Sequence, residues 1–166
     1  MRPGTSLFLV IVAVGIGTIA LAYGLRRKPG VPELTAEHYA TLGDAAADAE
    51  DHPRAAQMYA RARERSPKSR RLAIDHAFCL SRSGDIAGAM EILEDPLVRD
   101  DQDAVLLLAR LHIQQGDLAS AETVFLRGLH RTPTLVSDVE GDPLFDTLLA
   151  RRPVAEAARK ARRKLP

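Results

Sequence analysis

Along residues 36–133 apolar and small residues return every three or four positions, with polar residues between them. That period places one apolar stripe along each of a series of helices, and it leaves no alternating run of the kind a half-buried strand needs. The stripes are interrupted at regular places. Gly84-Asp85 and Gly116-Asp117 each supply a residue free to turn, followed by a side chain able to cap the next helix. Pro67 and Pro133 close two of the runs, and Pro96 closes another early, so that helix should stop near Asp95. Thr35 precedes a helical stretch with Glu37 in its first turn and is the expected N-cap. His38 stands three residues on, so the reciprocal carboxylate of a capping box is missing. Further along, Asp142-Pro143 reads as an N-cap and first turn, with Leu144, Phe145, Leu148 and Leu149 on one face. Pro153 opens a last helix, expected over 153–165.

These helices share a register. Counting back from Pro67 meets Tyr39, Leu42, Gly43, Ala55, Tyr59 and Ala62; the same offsets from Pro133 meet Val105, Leu108, Ala109, Ala121, Phe125 and Gly128. Large residues answer large ones and small answer small. Between them Ala77, Leu80, Gly84-Asp85, Ala89 and Leu93 follow the same order, but Gly84 and Gly116 are 32 residues apart, so the middle unit is slightly short. A period of this length marks stacked helical hairpins, which bind partners and rarely catalyse. In such a hairpin Tyr39 and Leu42 would sit on the core face of the first helix. Gly43 and Ala55 would be small because two helices cross there, and Tyr59 and Ala62 would face the next hairpin.

The run Tyr39-x2-Leu42-Gly43, then Ala55-x3-Tyr59-x2-Ala62-x4-Pro67, closely resembles the tetratricopeptide repeat. The resemblance implies an all-α solenoid of about three repeats, 36–69, 70–101 and 102–133, closed by a C-terminal capping helix within 134–166. It also implies a concave groove lined by the first helix of each hairpin. The groove positions are then Glu37, Ala40, Asp44 and Asp48 in the first unit, and Arg71, Ile74, Phe78 and Arg82 in the second. Asp103, Leu106, Arg110 and Ile113 follow in the third. Ile74, Phe78, Leu106 and Ile113 would make an apolar floor, rimmed by Arg71, Arg82 and Arg110. Such a floor suits the apolar face of a partner helix or an extended segment, with arginines for its carboxylates. Chaperone-binding members of the family clamp a terminal carboxylate with Lys and Asn; Ala40 and Asp44 stand at those places here, which disfavours that role.

Ahead of the repeats, residues 5–25 carry no charge. As a helix they would extend roughly 31 Å, the thickness of a bilayer's hydrocarbon core. Ala20-Leu21-Ala22 also offers a signal-peptide cleavage site, but Arg26, Arg27 and Lys28 would follow the cut almost at once and resist translocation. One transmembrane helix with a basic flank is therefore expected over 1–28, with a Pro/Gly linker over 29–35. Three cations at its C-terminal end, against Arg2 at the other, place the repeats on the cytoplasmic side. The layout is similar in architecture to bacterial inner-membrane repeat adaptors of envelope assembly.

Charge sharpens this organisation. Residues 29–150 hold twelve basic and twenty-one acidic residues, whereas the tail carries Arg159, Lys160, Arg162, Arg163 and Lys164. An acidic repeat domain repels nucleic acid. The tail is a short cationic helix that could rest on an anionic leaflet or bind a neighbouring copy, so self-association is a further expectation. Cys79 is the lone cysteine and sits in an apolar run, which reads as packing. His76 and His112 fall on core or helix-interface positions. The chain has no Gly-rich phosphate loop, no metal-ligand spacing and no nucleophile motif. The expectation is a membrane-anchored scaffold or adaptor for a protein or peptide partner, with no cofactor, no metal and no catalysis. Two alternatives stand beside it: an exported or periplasmic-side assembly factor of an envelope or secretion complex, and polyanion or anionic-lipid binding through the tail.

Overall fold

Side-chain caps set most helix starts. Thr35, Asp51, Ser69, Asp85, Asp101, Asp117 and Asp142 each accept a hydrogen bond from a backbone N–H in the first turn that follows. The computed structural model describes residues 34–163. Among them are nine helices and no strand: α1 (Ala36–Asp48), α2 (His52–Arg65), α3 (Arg70–Ser83), α4 (Ile86–Leu93), α5 (Gln102–Gln114), α6 (Leu118–Arg131), α7 (Leu135–Val139), α8 (Pro143–Leu149) and α9 (Arg152–Arg162). Gly84 and Gly116 take φ of 96° and 78°, the left-handed turn that lets the second and third hairpins reverse at no steric cost. The middle unit's second helix ends at Leu93, two residues before the expected Asp95, and Asp101 then starts the third unit.

Helices pair in chain order, α1 on α2, α3 on α4 and α5 on α6, and each hairpin packs on the next. The small residues act as the register requires. A methyl group added at Gly43 would stand 2.9 Å from the Tyr59 ring, and one at Gly128 would stand 2.5 Å from Val105, so the backbones meet closely at both places. Two cores result. The larger joins α3 to α9 around Leu93, Leu108, Phe125, Leu135, Phe145 and Leu148. The smaller, under α1, α2 and α3, is Ala46, Ala55, Ala56, Tyr59, Ala62, Leu72 and Cys79.

Some expectations need correction. Leu42, placed on the core face from its register, is 43 % exposed. Its counterpart Leu108 is fully buried under the preceding hairpin, and no hairpin precedes α1 among the described residues. The last helix runs over Arg152–Arg162 rather than 153–165. It is not a loose basic tail: Val154, Ala158 and Ala161 are buried against α6, α7 and α8, so its apolar stripe closes the stack and is not free for a leaflet. Helix α7 was not anticipated. The expected transmembrane helix, Arg26, Arg27, Lys28, most of the linker and Lys164 lie outside the described residues. Among the described residues no helix is long and apolar enough to cross a membrane.

Candidate functional site

The first helices α1, α3 and α5 share one continuous polar and apolar face. On α3 the spacing of three and four brings Arg71, Ile74, Asp75, Phe78 and Arg82 to one side. Arg71 reaches across to α1, with Nη2 3.3 Å from Asp44 Oδ2, and along its own helix, with Nε 3.2 Å from Asp75 Oδ2. Asp44 is itself held in place, because the Tyr59 hydroxyl donates to its Oδ1 at 2.5 Å. Burial pushes the Asp75 carboxyl upward, Arg71 opposes that, and the carboxylates of Asp44 and Asp103 add to the rise. Asp103 stands in the first turn of α5, the next of the first helices. Arg110 then extends the face to the cap: its Nη2 lies 2.9 Å from Asp142 Oδ2, and its guanidinium stands 5.8 Å from the centroid of the Phe145 ring. Gln102 donates to Asp138 at 2.6 Å nearby.

Phe78 is the most exposed large apolar side chain among the described residues, at 46 %. Its ring meets His52 edge-on, with centroids 6.4 Å apart. Ile74, Leu106 and Ile113 are half-buried and rest on the larger core, so the expected floor is a shallow apolar strip with one projecting aromatic ring. The rim differs from expectation in its charge. Arg71 and Arg110 are already paired with carboxylates of the domain, and of the three rim arginines Arg82 alone has no partner among the described residues. The carboxylate at Asp75 was readable four residues after Arg71. Asp142 was not, since its approach to Arg110 depends on how the cap folds back. The pairs are exposed, so each contributes little to stability and can exchange for an incoming charge at small cost.

The other reactive side chains are quiet. Cys79 is buried, and burial followed by the nearby carboxylates of Asp75 and Asp44 pushes its thiol up to about 11, which suppresses the thiolate. His76 is lowered to about 4 by burial and by Arg63, whose Nη1 is 3.0 Å from its Nδ1. It is therefore a neutral acceptor between two helices. His112 is half-buried, 3.8 Å from Asp117. Among the described residues no group of His, Cys, Asp or Glu is arranged to hold a metal ion. In the cap, Arg162 pairs with Glu140 and Arg151 with Glu122, while Arg159, Lys160 and Arg163 face outward.

Fold and face together define a stack of helical hairpins with a mixed-charge, partly apolar surface along its first helices. The tetratricopeptide repeat family model matches residues 46–100, about a third of the chain. The matched stretch runs from the end of α1 through α4 and its following turn, and so includes the short middle unit. No curated protein matches the chain.

Proposed function

We propose that this chain is a membrane-anchored adaptor of the tetratricopeptide type, which holds a protein or peptide partner on the face of α1, α3 and α5 and performs no catalysis. The observation that carries the reading is Phe78: a ring nearly half exposed in the middle of a continuous face, between an uncommitted Arg82 and two arginines in exchangeable pairs. An exposed aromatic flanked by arginine is the composition of an interaction hot spot. Repeats of this kind generally mediate protein–protein contact, and the all-helical stack supports it. The partner is best matched by an amphipathic segment that offers an apolar side chain to Phe78 and a carboxylate to Arg82. Residues 5–25 supply the anchor, with the basic cluster after it keeping the repeats in the cytoplasm of a bacterial cell.

Partner recovery on the full chain tests the groove. Phe78→Ala and Arg110→Glu should each cut it at least tenfold with helix content unchanged, and full recovery by both variants would sink the reading. A reporter fused after Pro166 and active on one side of the membrane tests the anchor separately. A signal from outside the cytoplasm would move the search to the exported or periplasmic-side assembly factor.

A further inference from the structure

Helix α1 leaves bare a face that its successors cover. The places of Leu42 and Ala45 in α1 are taken by His76 and Cys79 in α3, and by Leu108 and Leu111 in α5. Cys79, Leu108 and Leu111 are buried, and Arg63 of α2 reaches His76, because in both cases the second helix of the preceding hairpin lies on that face. In α1, Leu42 is 43 % exposed and Ala45 is open, with Leu34 a further exposed leucine immediately before the N-cap Thr35. The flank of this stripe on its groove side is acidic. Glu37 and Asp48 are exposed, neither has an ion-pair partner among the described residues, and α1 contains no Lys or Arg.

We infer that this face of α1 docks a cationic amphipathic helix of a partner protein, laid down as α2 is laid on α3. Its shape follows from the covered copy of the same face. There the occupant is a helix whose contact side is alanine, Ala56 and Ala60, beside the cleft that His76 and Leu80 line. Its charge follows from Glu37 and Asp48, which need cations opposite them. Helix α2 has that character too, with four arginines against Glu64. A second copy fits less well. Two-fold antiparallel pairing of α1 with itself would set each acidic row against its own image.

The test uses the full chain in non-ionic detergent, titrated with a fluorescent synthetic peptide of residues 51–66 and followed by anisotropy. Saturable binding is expected. Leu42→Glu should weaken it at least tenfold, the double variant Glu37→Lys with Asp48→Lys several-fold, and a peptide with Arg61, Arg63 and Arg65 replaced by Glu should not bind. Phe78→Ala should leave it unchanged, which separates this surface from the groove. Should Leu42→Glu lose helix content by circular dichroism, the double lysine variant decides. Absence of saturable binding, equal binding of the acidic peptide, or indifference to the double variant overturns the proposal. So does a concentration-dependent dimer that Leu42→Glu dissolves, which would make a second copy the occupant.

Discussion

The first hairpin and the third are built on one register but held by different means. Around α5, α6 and the cap, the buried side chains are mostly Leu, Val and Phe, which remove large apolar surfaces from water. Around α1 and α2 they are mostly alanines gathered on Tyr59, and stability there rests on close approach and on a few directed contacts. Alanine contributes little area, so the gain must come from fit. In a stack where each unit leans on its neighbours, the thinner end opens first. The proposed binding face spans both regions, from Asp44 at the thin end to Arg110 at the thick one, so partner affinity should depend on keeping the first hairpin closed.

The largest effect is expected from Phe125→Ala. Phe125 is fully buried on α6 and meets Phe145 of the cap at 6.1 Å between ring centroids, so its truncation removes packing between α6 and the cap. Loss of about 3–5 kcal/mol is the usual cost of such a cavity. Chemical denaturation followed by circular dichroism should show the whole helical signal shift together. A variant that unfolded only the cap would show that the larger core is two cores.

Gly43→Ala probes the other mode. The new methyl would meet three carbons of the Tyr59 ring at 2.9–3.1 Å, and the ring is buried and tied by its hydroxyl to Asp44, which restricts its escape. Overpacking of this kind costs about 1–3 kcal/mol. Hydrogen exchange should quicken in α1 and α2 while α5 and α6 keep their protection. Uniform quickening would mean the two regions are one cooperative unit.

The difference between the regions also decides what was legible from sequence. Turns and caps were plain, because Gly84, Gly116 and the aspartates after them act through local geometry. The repeat register correctly put Ala55, Tyr59 and Phe125 inside. It failed at Leu42, since register tells which face a residue occupies and not whether a neighbour covers that face. Asp75, the partner of Arg71 on its own helix, was legible from spacing, but Asp44 comes from another helix and Asp142 becomes a neighbour of Arg110 through tertiary folding alone. Helix α7 was missed because its five residues are too few to show a period. The last helix was expected as a cap, but its basic residues suggested other uses as well, because alanine is a weak apolar signal in sequence even where, as at Ala158 and Ala161, it is buried.

Acid should sharpen the comparison, because the interface between first and second hairpins carries His76. In the fold its pKa is about 4, against an ordinary 6.5, so the folded chain resists a proton that the unfolded chain accepts. The sign is then fixed: His76 favours folding above about 6.5, and that contribution fades as pH falls toward 4. After allowance for its partial exposure, the loss is about 1–2 kcal/mol. His76→Leu, which restores the repeat's large apolar residue beside Arg63, should flatten this acid limb in a pH series of Tm values. An unchanged limb would assign the acid sensitivity to carboxylates instead.

The smallest expected effect separates stability from binding. Tyr59→Phe removes the hydroxyl that donates to Asp44 while keeping the ring that Gly43 packs against. A lost hydrogen bond of this kind costs about 0.5–1.5 kcal/mol. Asp44 would keep Arg71 as a partner but lose the contact that fixes its carboxylate, so Arg71 gains freedom on the binding face. Partner recovery should therefore fall further than the small stability change explains, and adding Arg71→Ala should remove the excess. If recovery tracks stability alone, Tyr59 serves the first hairpin's core and has no hand in orienting the face.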